Sequence, residues 1–228
     1  MRIFFIRHGE PDYDNDRLTE NGKMQALSVA YRLKDEELDE IYSSPMGRAA
    51  QTAAPTIKML NLPVTTLDYM HEILWGGEGI PHQGHPWTLS EKMINEENFD
   101  FYGKDWREHP YYKGNLVVDY YDKIAERIDE FVKDQGYIHD KGRFLCTTNE
   151  DKNIAIFSHS GSGACAISHL LNLPFPYVTT VLPYEFTSVI ILNFPVNTGE
   201  YIHPRLELFN DIHHIPKDNR GLVFQKNL

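Results

Sequence analysis

The chain has 228 residues, room for one large domain, and its 41% hydrophobic and 24% charged residues are those of an ordinary globular protein. Lys and Arg number 22 against 33 Asp and Glu, and the net charge of −11 argues against non-specific binding to nucleic acid or an anionic membrane. The 2 cysteines, Cys146 and Cys165, make no disulfide framework, no apolar stretch approaches the ~20 residues of a transmembrane helix, and no leader pattern opens the chain, so a reduced cytoplasmic setting is expected.

Arg2 to Ile6 (RIFFI) is a short apolar run that meets Arg7-His8-Gly9-Glu10 at once. It reads as a buried strand reaching its C-terminal edge, where ligands of open α/β sheets sit. A cation, an imidazole and a glycine there suit an anion site holding a nucleophile or base. A salt-bridged Arg and a surface His would satisfy the same letters. Pro11 to Arg17 is polar and reads as solvated. Leu18 to Gly22 opens a helix capped by Thr19, whose positions Met24, Leu27, Ala30, Tyr31 and Lys34 define the face expected in the core.

Asp39 to Tyr42 reads as a second strand. Ser44 then suits an N-cap and Pro45 the first helical position, with Pro55 ending or kinking the helix. Arg48 falls in the first turn, where a cation opposes the helix dipole; a bound anion beside it would make sense of that. Val64 to Leu67 is a third, short strand. Glu72 follows among bulky apolar neighbours that would raise its pKa, as a general acid requires, although by spacing alone it reads first as a surface carboxylate.

Residues 76–114, rich in aromatics, Gly, Pro and His, interrupt the alternation and read as an inserted cap with one short helix near Trp87–Asn95. His82 and His85 find no third ligand at a recognisable spacing, so no metal site is expected. Leu116 to Gln135 is an amphipathic helix. Ile154 to Phe157 is a second buried strand ending in Ser158-His159-Ser160-Gly161, followed by a helix from Gly163 to Leu173. Ser160 suits its cap, and its free N–H groups form a cradle for an oxyanion or phosphate. Thr187–Phe194 and Tyr201–Phe209 read as an antiparallel pair at the sheet edge, and His213 and His214 as surface residues.

Strands alternating with helices define an α/β protein: a three-layer α/β/α sandwich with a mostly parallel central sheet, one domain over 1–228 with 76–114 inserted as a cap. On Arg7-His8-Gly9-Glu10, Leu18-Thr19, Gly22, Gln25-Ala26, Ser43-Ser44-Pro45, Arg48-Ala49, Gln51-Thr52-Ala53, Glu72, Trp75-Gly76 and Ser158-His159-Ser160-Gly161, the chain resembles the histidine phosphatase superfamily, in its phosphoglycerate mutase-like branch. The resemblance implies that His8 is the nucleophile, that Arg7, Arg48, His159 and Ser160 bind the phosphoryl group, and that Glu72 donates a proton to the leaving oxygen, with Glu10 as the alternative donor. It implies no metal, and a His159 that helps most when cationic.

Two rival activities remain at this level. A phosphoglycerate mutase would use 2,3-bisphosphoglycerate as cofactor, the only cofactor considered. A catalytically silent module would bind a phosphorylated ligand in the same pocket, but His8 and Glu72 are both present. Between Gly76 and Gly114 the cations are only Lys92, Lys104, Arg107 and Lys113. A cap so poor in arginine favours hydrolysis of a phosphomonoester with an aromatic or apolar portion. The expected partner is a small phosphorylated substrate, with a homodimer as an allowed assembly.

Overall fold

The computed structural model describes residues 1–80, 85, 96, 100, 103 and 106–221. The helix expected near Trp87–Asn95, and His82, lie outside the described residues. In chain order the strands are β1 (Arg2–Arg7), β2 (Pro11–Asp12), β3 (Arg17–Leu18), β4 (Glu40–Ser43), β5 (Val64–Thr66), β6 (Tyr137–Asp140), β7 (Arg143–Cys146), β8 (Asn153–Ser158), β9 (Val189–Asn193), β10 (Tyr201–Ile202) and β11 (Arg205–Asp211). The α-helices, among the described residues, are α1 (Glu20–Leu33), α2 (Gly47–Leu60), α3 (Leu116–Asp134), α4 (Ser160–Leu170) and α5 (Phe175–Val181).

Six strands form the central sheet in the order β11-β9-β1-β8-β4-β5. The pairs β1–β8, β8–β4 and β4–β5 are parallel, whereas β9 runs antiparallel to both β1 and β11. Side chains alternate along each strand, and the apolar runs of β1, β8 and β9 therefore feed both faces. Ile3, Phe5, Ile154, Ile156, Ile190 and Leu192 join a core with residues of α3, α4 and α5. Phe4, Ile6, Ala155, Phe157, Val189 and Ile191 pack instead with Val29 and Leu33 of α1 and Ala53 of α2. Each such side chain removed from water stabilises the fold by ~1.5–3 kcal/mol, enough to make the three layers one cooperative unit.

Several boundaries differ from the sequence expectation. In α1, Met24, Leu27 and Tyr31 are exposed and the buried face is Gly22, Gln25, Ala26, Val29, Ala30 and Leu33. On that face Gly22, Ala26 and Ala30 let the helix approach α2, whose own Ala49 and Ala53 are fully buried, while Val29 and Leu33 fill the core beside them. Helix α2 begins at Gly47 with Met46 as its cap, so neither Ser44 nor Pro45 holds the expected position, and it continues through Pro55 to Leu60. Helix α4 begins three residues early, at Ser160, with His159 as the cap residue.

The closing strands also rearrange. Strands β9 and β11 pair antiparallel as expected, but β9 lies inside the sheet and β11 alone forms the edge on that side. Tyr201 and Ile202 leave that sheet and pair with Leu145 and Phe144 in a separate sheet ordered β10-β7-β6. The β6–β7 hairpin turns through Lys141 and Gly142, both at positive φ (53° and 82°), and the charged letters around it hide the strand pattern. His213 is exposed as expected, but His214 is half-buried, and burial pushes its pKa down to about 4.

The described ends of the 76–114 segment are anchored in the main core. Trp106 is buried and meets Tyr112 and Tyr121 edge-on, each at 5.2 Å between ring centres. Cys146 and Cys165 are buried and free. Among the described residues no helix is long and apolar enough to cross a membrane.

Candidate active site

Strands β1 and β8 lie side by side in parallel, with Arg7 opposite Ser158 as the last pair. The next residue on each strand is a histidine. The register therefore forces His8 and His159 together, and their ring centres are 5.1 Å apart. Strand β4 flanks β8 on the other side and ends at Ser43 opposite Phe157, which sets Ser44 beside His159. His8, His159, Ser44, Arg7 and Arg48 are all buried.

Each imidazole is held through one nitrogen. His8 Nδ1 lies 2.7 Å from the Gly9 carbonyl. A carbonyl only accepts, so Nδ1 carries the proton and Nε2 keeps its lone pair. Burial, then the charges of Arg7 and His159, hold the His8 pKa well below the usual imidazole range, and the ring is neutral near pH 7. His159 Nε2 lies 2.8 Å from the Ser44 hydroxyl, and His159 Nδ1 is buried with no partner among the described residues. Burial, then Arg48 and Arg7, push His159 down to about 2. The expectation of a cationic His159 is thus overturned for the free site: two guanidinium groups already occupy its neighbourhood.

Glu72 reaches the same centre from an irregular segment after β5. One donor atom from each of His8, Glu72 and His159 lies within 4.8 Å of the others. Glu72 Oε1 accepts from the amides of Gly161 (3.1 Å), Ser162 (3.3 Å) and Ile73 (3.1 Å). Burial raises its pKa, against these amides and the two arginines, which lower it. This corrects the expected cradle. The free amides of α4 hold the Glu72 carboxyl rather than an oxyanion, and Ser160 itself takes the first helical position. Gly161 makes the approach feasible, because a Cβ there would stand 2.4 Å from Ile73 Cγ1 and 2.6 Å from Glu72 Oε1. Glu10 faces elsewhere: its two oxygens accept from Thr19 Oγ1 (2.8 Å) and Asn21 Nδ2 (2.9 Å) at the start of α1.

Other contacts were not legible in the sequence. Asp16, in the loop expected to be solvated, accepts from Gly47 N and Arg48 Nη1, both at 2.6 Å, so that loop is latched to the site. Arg48 is therefore carboxylate-paired while lying beside His159. Arg7 Nη1 donates to the Tyr184 carbonyl at 2.7 Å and lies 4.3 Å over the Phe186 ring. Thr187, at φ 51°, turns its amide toward the carbonyls of Arg7 and His8. The segment 184–187 thus forms the floor beneath both strand tips.

A second cluster, Asp129, His139 and His169, stands away from this centre. Asp129 accepts from His139 Nδ1 at 2.9 Å and His169 Nε2 at 2.8 Å, while His139 Nε2 accepts from the Gly142 amide at 3.0 Å. With both nitrogens of His139 engaged in hydrogen bonds, the cluster is a clamp tying α3 to α4 and the β6–β7 hairpin.

Two neighbouring parallel strand tips that deliver two imidazoles, flanked by two guanidinium groups and a carboxyl of raised pKa, define a phosphoglycerate mutase-like architecture. Residues 3–203 match the model of the histidine phosphatase superfamily (branch 1), and the chain belongs to that family. It is 29% identical over 114 residues to a probable phosphatase of Schizosaccharomyces pombe, a match covering 46% of this chain and 53% of that protein. It is 28% identical over 149 residues to phosphoserine phosphatase 1 of Hydrogenobacter thermophilus, covering 58% of this chain and 65% of that one. These matches span between half and two thirds of the relatives' lengths. A phosphoserine phosphatase from Entamoeba histolytica, crystallised with 3-phosphoglyceric acid, superposes with a TM-score of 0.64 at 26% identity, over 94% of this chain and 99% of that one.

Proposed function

We propose that the protein hydrolyses phosphomonoesters through a phosphohistidine on His8, without a metal. The observation that carries this reading is the convergence of His8, Glu72 and His159 with their pKa values displaced in opposite directions, the imidazoles down and the carboxyl up. His8 Nε2 attacks phosphorus, and the ester P–O bond breaks as Glu72 protonates the departing alcohol. Water then attacks the phosphohistidine, Glu72 takes a proton from it, and phosphate leaves with His8 restored. Arg7, Arg48 and His159 supply the donors that stabilise the charge spread over the phosphoryl oxygens. Glu72 is favoured over Glu10 as the proton donor because the Glu10 carboxylate is occupied at the α1 cap.

Substrates with an aromatic or apolar alcohol fit the described mouth of the site. Tyr13, 63% exposed, stands edge-on to His8 at 6.4 Å at that mouth, while Phe186, buried in the floor, lies 5.6 Å from the same ring. The test is turnover of p-nitrophenyl phosphate in EDTA, compared with His8→Ala. Activity that survives chelation and vanishes in the variant supports the reading. Activity retained by the variant overturns the role of His8. Phosphoserine and 3-phosphoglycerate with bisphosphate are then run to separate the phosphatase from the mutase reading.

A further inference from the structure

We propose that Ser44 is a positioning residue that fixes the tautomer of His159, so that the neutral ring presents an Nδ1–H donor to a phosphoryl oxygen. The inference rests on the phosphoryl-transfer reading for its purpose, but its physical content stands on the free protein. It comes from accounting for every polar atom around His159.

The Ser44 hydroxyl has one proton to donate and two lone pairs to accept with. One lone pair is taken by the Met46 amide, at 3.2 Å. The contact to His159 Nε2, at 2.8 Å, can run in either direction. Suppose Nε2–H donates to Ser44. The hydroxyl proton of Ser44, 1% exposed, then has no acceptor among the described residues, and His159 Nδ1 becomes a buried lone pair. Two groups are orphaned, and the lone pair would repel the oxygen of any phosphoryl group. Suppose instead that Ser44 O–H donates to Nε2. Only Nδ1–H is then left over, a donor beside Arg7, Arg48 and His8 where an anion is to be bound. Leaving buried polar groups unpaired is costly, so the second arrangement prevails.

The same assignment resolves a conflict in the site. A ring that stays neutral beside two arginines cannot attract an anion by net charge, and it is useful only if its proton is on the correct nitrogen. Ser44 supplies that choice from the tip of β4, a third strand, through a residue whose position in sequence suggested only a helix cap. The arrangement is the converse of His8, where a carbonyl acceptor keeps the proton on Nδ1 and bares Nε2 as a lone pair.

Long-range ¹H–¹⁵N correlation spectra of the full chain, labelled at histidine, read the tautomer directly near pH 7. The expected result is His159 protonated at Nδ1 and unprotonated at Nε2. The opposite pattern in the wild-type protein overturns the proposal, whatever the variants do. Ser44→Ala is expected to abolish the bias and to weaken binding of inorganic phosphate roughly tenfold, with Ser44→Thr restoring both through its hydroxyl. A Ser44→Ala protein that retains the wild-type His159 pattern overturns the role of Ser44. Failure to hydrolyse p-nitrophenyl phosphate alongside the expected tautomer would count against the phosphatase reading alone.

Discussion

The tips of β1 and β8 look like two copies of one device: an apolar strand, a histidine, and glycine within two residues. The proposed reaction gives them opposite roles. His8 has a backbone carbonyl against Nδ1, which can only accept, so its Nε2 is left as a nucleophilic lone pair. His159 has a hydroxyl against Nε2 and an Nδ1 without a partner among the described residues. Both rings are kept neutral by burial and by the same two arginines. In the proposed reaction, what separates attacker from binder is therefore the chemical type of the atom that anchors each ring, a distinction that net charge does not make.

The largest break in this pairing is expected from His8→Ala, which removes the proposed nucleophile. Turnover of p-nitrophenyl phosphate should fall by on the order of 10³-fold or more, while His159→Ala should retain more activity than that. Next comes Glu72→Gln, with an expected loss of ~10²–10⁴-fold on poor leaving groups and a smaller one on p-nitrophenol. Because Glu72 must be protonated to act as acid and its pKa is raised, wild-type activity should decline as pH climbs through that raised value. The pH–rate profile of the Gln variant should lack that limb.

Gly161→Ala is a subtler disturbance. Its new methyl would collide with Ile73 and the Glu72 carboxyl, and kcat should drop roughly ten- to a hundredfold while the nucleophile is untouched. A quench assay that traps phosphohistidine would show His8 still reacting.

Stability offers a way to sharpen the comparison without substrate. His159 has a folded pKa of about 2 against a usual value of 6.5, so the unfolded chain binds the proton more readily. Its contribution is complete above pH 6.5 and is lost as pH falls toward 2. Lowering the pH from 7.5 to 5 should therefore reduce Tm, and His159→Gln should flatten that slope. The smallest effect belongs to the remote clamp. Asp129→Ala should cost about 1–3 kcal/mol in urea denaturation by releasing His139 and His169, and leave kcat/KM unchanged.

Much of this arrangement was legible in the sequence because it is carried by strongly patterned segments. Ile3–Ile6 and Ile154–Phe157 are unbroken apolar stretches that only a doubly covered sheet can bury, and each is separated from its histidine by one residue. The sequence reading failed where a side chain's role depends on a distant partner. Ser44 and Ser160 each look like a helix cap, yet one meets His159 across the sheet and the other yields its helix's amides to Glu72. Asp16 is one carboxylate in a polar loop until Arg48 and Gly47 are brought to it. The buried face of α1 departs from its apolar periodicity because that pattern ranks Met24, Leu27 and Tyr31 as core, whereas contact with α2 favours Gly22, Ala26 and Ala30 beside Val29 and Leu33. The β6–β7 hairpin was missed because its strands are short and charged.

The register between β1 and β8 also has a practical consequence for directed evolution. A relative shift of one residue would turn the apolar set of one strand, Ile3 and Phe5 or Ile154 and Ile156, to the wrong face of the sheet and part His8 from His159 in the same motion. Packing and chemistry are set by a single alignment. Random substitutions in these strands should accordingly sort a library into two bins, colonies with normal specific activity and colonies with no soluble protein, with few slow enzymes between them.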